Sequence, residues 1–111
     1  MLFTAPGAGA ATASVTVCAK AAGKFAPVLI DVGFFHEEGE ESTTYSVPKN
    51  KCVTIAEAPA PSGAWAEADR EAKRIVVKTP SGKTNVKKTD RVDFSLGSGD
   101  SVMVVFYFAP K

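Results

Sequence analysis

Ser14-Val15-Thr16-Val17-Cys18-Ala19-Lys20 and Lys51-Cys52-Val53-Thr54-Ile55-Ala56 are the stretches whose reading decides the fold. Both alternate in the two-residue period of a β-strand, where residues two apart share a face. Cys18 then lies with Ser14 and Thr16, opposite Val15 and Val17. Cys52 lies with Thr54, opposite Val53 and Ile55. Two strands that bury their valines present both sulfurs on the same, more polar side. That arrangement suits a cross-strand disulfide; a pair of buried thiols is the alternative.

Strand signals continue on either side. Val28, Ile30, Val32 and Phe34 alternate through residues 28–35, and Thr43, Tyr45 and Val47 through 43–47. Glu37-Glu38-Gly39-Glu40-Glu41 reads as an acidic turn, and Pro48-Lys49-Asn50 breaks the run that precedes Cys52. Pro59-Ala60-Pro61-Ser62-Gly63 reads as a loop. Arg74–Thr79 is a β-branched run ending at Pro80-Ser81-Gly82. Val92, Phe94 and Leu96 share a face of a further strand, Gly97-Ser98-Gly99-Asp100 is a turn, and Ser101–Phe108 is apolar on both faces. Residues 64–75 stay open between two readings. Their Ala, Glu, Arg and Lys favour helix, with Trp65, Ala68, Ala72 and Ile75 at helical spacing and Ser62 as a cap. As a strand, Trp65 alternates with Ala64 and Ala66. Short strands separated by Pro/Gly turns predict an all-β, Ig-like sandwich of about seven strands, with at most one short helix near 64–74.

The 111 residues fit one domain of ordinary composition, 45% hydrophobic and 23% charged. Thirteen basic and twelve acidic residues nearly cancel, which argues against a nucleic-acid partner. No stretch is apolar for long enough to span a membrane as a helix. Paired cysteines point to oxidising surroundings. Residues 1–13 form an uncharged Ala/Gly-rich arm or linker ahead of a domain at 14–111. The arm lacks the basic start and continuous apolar core of a secretory signal, so a removed signal would have to precede Met1. A virion setting would relieve that tension, because virions reach oxidising surroundings without signals on their proteins.

The run Val15-Thr16-Val17-Cys18-x-Lys20, the segment Val47-Pro48-Lys49-Asn50-Lys51-Cys52-Val53-Thr54-Ile55, the glycine-rich turn and the terminal Val102-x-Val104-x-Phe106 together resemble the prealbumin-like, Cna-B-type β-sandwich modules of bacterial surface proteins. The resemblance runs over residues 14–108. It implies a stalk or adhesive module without enzymatic activity. Many such modules carry an isopeptide bond between a Lys of the first strand and an Asn of the last, beside an acidic residue. Lys20 and Glu67 suit two of these roles, but Val102–Phe108 holds neither Asn nor Asp. The resemblance therefore implies a module without that bond, in which the cysteines are the available covalent lock.

Other candidate chemistry fails on its own pattern. Ser81-Gly82-Lys83-Thr84 looks like the end of a phosphate loop, but the earlier glycine is replaced by Val77 and a strand follows. His36 is the lone histidine and has no nucleophile motif around it. The Glu37–Glu41 cluster lacks a calcium-loop pattern. No catalytic residue, cofactor or metal site is predicted.

The charge layout is more telling. Glu37, Glu38, Glu40 and Glu41 crowd one place, while Lys73, Arg74, Lys78, Lys83, Lys87, Lys88 and Arg91 gather within 19 positions. An acidic tip and a basic ribbon suit protein partners, including copies of the same chain. Met103, Val105 and Tyr107 add an apolar stripe that marks a partner surface if the arm or a helix leaves it bare. The expectation is a non-enzymatic module acting through protein–protein contacts, at a cell surface or secreted. A virion decoration or tail protein with a docking arm is one alternative. Carbohydrate binding on Trp65, Tyr45 or Tyr107 is another.

Overall fold

The computed structural model describes residues 12–23, 26–36 and 39–109, with the side chain of His36 left aside. Seven strands follow in order: β1 (Thr12–Lys20), β2 (Val28–His36), β3 (Gly39–Val47), β4 (Lys51–Pro59), β5 (Ser62–Thr79), β6 (Gly82–Leu96) and β7 (Ser101–Tyr107). No helix occurs among the described residues. The expected all-β architecture is present, and the segment 64–74 is strand throughout.

That strand corrects the helical option, for a physical reason. Helix preference among Ala, Glu, Lys and Arg amounts to tenths of a kcal/mol per residue. As strand β5, the segment instead pairs with β2 through Ile30↔Ala68 to Phe35↔Gly63, with β7 through Arg74↔Tyr107 to Lys78↔Met103, and with β6 along most of its length. Ala64, Ala66 and Ala68 turn into the core while Trp65 lies outside the core cluster, so the helical spacing of Trp65 and Ala68 is coincidental.

β5 and β6 serve both layers of the sandwich. The first half of β5, with the second half of β6, extends the sheet β3-β2-β5-β6. The second half of β5, with the first half of β6, extends the sheet β4-β1-β7-β5-β6. The switch occurs where the register slips between Glu67↔Arg91 and Ala72↔Thr89, one residue from Lys88, whose φ of 53° is left-handed. Bulges bend strands and let them change sheets.

Between the layers lies one core. β1 contributes Val15, Val17 and Ala19, β2 contributes Val28, Ile30, Val32 and Phe34, and β7 contributes Val102, Val104 and Phe106, with Phe108 just beyond it. Ile75, Val77, Val92 and Leu96 complete it. First and last strands meet in parallel, from Ser14↔Ser101 to Lys20↔Tyr107. β1 begins at Thr12, two residues inside the expected arm, and Ala13 is buried in the core. Residues 1–11 lie outside the described residues. Of the expected acidic turn, Glu40 and Glu41 belong to β3, opposite Phe35 and Phe34, and Glu37 and Glu38 lie outside the described residues.

Candidate functional site

Cys18 and Cys52 face each other in the antiparallel β1–β4 register and form a disulfide, with Cα atoms 4.1 Å apart. The shared alternation read from the sequence is the reason. Thr16 and Thr54, two residues along, join their hydroxyls at 3.0 Å on the same side. Cys18 is buried and Cys52 exposed.

The remaining outer positions of this layer follow from the register. Val105 neighbours Cys18, Val76 neighbours Val105, and Asn85 neighbours Val76. Flanking rows carry Met103, Lys78 and Lys83 on one side, and Lys20, Tyr107, Arg74 and Lys87 on the other. The Arg74 guanidinium lies 4.3 Å from the centre of the Tyr107 ring. The expected apolar stripe is therefore not bare: Val105 is only 3% exposed and Tyr107 carries Arg74, while Met103 is 37% exposed. In the register Val105 sits between Cys18 and Val76, with Met103 and Tyr107 on its flanks. The registered rows described on β1, β7, β5 and β6 hold five cations and no carboxylate, while Glu57 is exposed on the flanking β4. Lys78, Lys83 and Lys87 make no ion pair among the described residues.

The outer face of the other layer is acidic. Registered rows place Glu40 beside Phe35, Thr44 beside Asp31, Asp31 beside Glu67, and Trp65 beside Asp93. At its centre the Trp65 indole covers Gly33, where a Cβ would come within 2.2 Å of the ring. Its Nε1–H donates to Glu40 Oε2 at 2.7 Å. The Arg91 guanidinium covers the ring, 4.7 Å from its centre, and donates from Nε to Asp93 Oδ1 at 2.9 Å. Arg91 also approaches Glu67 at 3.9 Å. The bond to Asp93 raises the Arg91 pKa above its ordinary value, with Glu67 and Glu40 adding to it. Thr44 Oγ1 donates to Asp31 Oδ1 at 2.5 Å. Leu29 and Phe35 stand out of this face, 48% and 43% exposed.

The sequence-predicted basic ribbon is thus divided. Arg74, Lys78, Lys83 and Lys87 share the disulfide-bearing face. Arg91 sits among carboxylates on the opposite one, because β6 has changed layer by then. Lys73 and Lys88 lie just past the register slip, between the pairs Ala72↔Thr89 and Arg74↔Lys87. The carbohydrate option loses its aromatic platforms: Trp65 is 8% exposed between Gly33 and Arg91, Tyr107 lies under Arg74, and Tyr45 packs on the core. Lys20 and Glu67 are not brought together. Lys20 is an exposed neighbour of Tyr107, whereas Glu67 lies in the other layer between Asp31 and Arg91. Pro80 and Ser81 form the hairpin turn between β5 and β6, and Gly82 opens a strand, so no helix presents amides to a phosphate. Among the described residues, no three His, Cys, Asp or Glu side chains are grouped to hold a metal ion.

The Trp65–Gly33–Arg91 cluster escaped the sequence reading. Its one signal was Gly33, an isolated glycine inside an otherwise bulky strand, which marks a close approach by a neighbour.

No family model matches the chain, and no curated protein matches it in sequence. Solved structures do match in fold. A major pilin of Streptococcus pyogenes aligns with TM-score 0.61 at 7% identity, over 89% of this chain and 49% of the pilin. The T3.2 major pilin of the same species gives TM-score 0.59 at 11% identity, over 88% and 45%. A Mobiluncus mulieris adhesin containing disulfide, isopeptide and ester cross-links gives TM-score 0.57 at 11% identity, over 86% and 40%. The chain spans about half the length of the pilins it matches. Its fold is the pilin-like β-sandwich that the sequence resemblance implied.

Proposed function

We propose that the chain is a non-enzymatic structural or adhesive module of a cell surface, one domain of a stalk that works through protein–protein contacts. The observation that supports this most is the pairing of the terminal strands in a pilin-like sandwich. β1 and β7 run parallel over seven registered pairs, so the chain enters at one end of the pair and leaves at the other. Tension applied through the ends loads the whole hydrogen-bonded ladder in shear, instead of opening it one bond at a time. The disulfide then ties β1 to β4 and withholds the intervening chain from extension. A separation of 34 residues corresponds to about 120 Å of extended chain. That is the behaviour a stalk requires.

The similar pilins and adhesin favour a cell surface over a virion, since none of them is a virion component. Labelling intact cells with an antibody to the folded domain tests the setting; signal only after lysis would contradict it. Single-molecule pulling tests the mechanics. The force needed through residues 12 and 108 should exceed that needed through residues 73 and 108, which lie at the same end of the antiparallel β5–β7 pair, so that pulling them apart unzips β7 from β5. Reduction should lengthen the released chain by about 120 Å.

A further inference from the structure

We infer that the two outer faces of the sandwich are complementary halves of one contact, and that the basic, disulfide-bearing face of one copy docks on the acidic Trp65 face of a second. This rests on the reading of the chain as a protein–protein module.

The argument starts from segregation. Lys20, Arg74, Lys78, Lys83 and Lys87 occupy registered outer positions of β1, β5, β6 and their neighbours, with no acid among them. Asp31, Glu40, Glu67 and Asp93 occupy the outer positions of the other layer, with Arg91 as the registered cation. The chain as a whole carries a net charge of only +1, so repulsion between copies is small while attraction between unlike faces persists. Lys78, Lys83 and Lys87 have no ion-pair partner among the described residues. The exposed large apolar side chains fall on these same faces: Leu29 and Phe35 on the acidic one, Met103 on the basic one. Each face thus offers an apolar contact within a charged surround, the usual anatomy of a protein interface.

Size sets the strength. Four strands about 4.8 Å apart, with about six residues of about 3.3 Å each, give a face on the order of 400 Å². A stable pair buries about 800 Å² per partner, so a single contact is weak and sensitive to salt. Because the faces differ, the contact is heterologous and does not close on itself. Copies held side by side on a surface would therefore reinforce one another.

Sedimentation of the full chain tests this, at ionic strengths of about 0.01 M and about 1 M, where the screening length falls from about 30 Å to about 3 Å. The expected result is association at low salt, weakened at least tenfold at high salt. Lys78→Glu/Lys83→Glu and Asp31→Lys/Glu67→Lys should each stay monomeric alone, with circular dichroism and melting like the parent. Mixed in equal amounts they should associate again, because each supplies the face that the other has lost. A parent that stays monomeric at low salt, charge-reversed variants that still associate, or a mixture that stays monomeric would each overturn the inference. The salt dependence of the parent protein stands even if a variant fails to fold. A failure here with surface labelling intact refutes the contact alone, whereas cytoplasmic confinement refutes the module reading.

Discussion

Trp65 lies flat on Gly33, across the register of β2 and β5, so closely that the ring occupies the place of a missing side chain. Gly33→Ala should therefore displace the indole and break its bond to Glu40. Overpacking of this kind costs about 1–3 kcal/mol. Trp65 is the chain's only tryptophan, so its emission should shift red as the melting point falls. In a Trp65→Ala background the same glycine substitution should cost less than about 0.5 kcal/mol, as surface changes usually do. A full penalty in both backgrounds would show that the ring is not what Gly33 accommodates.

Arg91 shields the other side of the ring. Arg91→Ala should leave the fold intact while raising the quenching of Trp65 by acrylamide. Unchanged quenching would mean that Arg91 does not cover the indole in solution.

The disulfide closes a separation of 34 residues. Cys18→Ala/Cys52→Ala, or reduction through the exposed Cys52, should remove about 3–4 kcal/mol of stability by the loop-entropy relation. In a domain of this size that lowers the melting point by on the order of 10–20 °C. Identical melting with and without reductant would contradict a structural role for the bond.

Phe106 is fully buried in β7 and stacks with Phe108, ring centres 6.1 Å apart. Phe106→Ala should cost about 3–5 kcal/mol through lost contacts and an unfilled cavity. Denaturant titration measures it; a loss below the range for a buried aromatic would place the ring outside the core.

Lys88 holds a left-handed backbone where β6 changes layer. A residue with a Cβ is disfavoured there by about 1–2 kcal/mol, and glycine is not. Lys88→Gly should therefore raise the melting point and Lys88→Val lower it. The reverse order would place the bend elsewhere.

Much of the fold was legible because burial on one face imposes alternation. Val15/Val17, Val28/Ile30/Val32 and Val92/Phe94/Leu96 each announced a strand, and the parity of Cys18 and Cys52 announced their bond. The end of β5 was legible in the β-branched run Arg74–Thr79, but residues 64–75 stayed open between strand and helix, because Ala, Glu, Arg and Lys favour helix locally and the partners that make the segment a strand lie far away in sequence. The segregation of charge was hidden for a related reason. Lys87 and Arg91 are four residues apart, yet a bend between them sends one to each layer, and only long-range pairing decides where a strand turns.

The parallel meeting of β1 and β7 also sets an order in time. As the chain is synthesised or exported from its amino end, β1 must wait for nearly the whole domain before its neighbour β7 arrives. Cys18 and Cys52 both lie in the first half and emerge early. An oxidising compartment can thus tether β1 to β4 while the sandwich is still open, so that the last strand completes a platform already assembled.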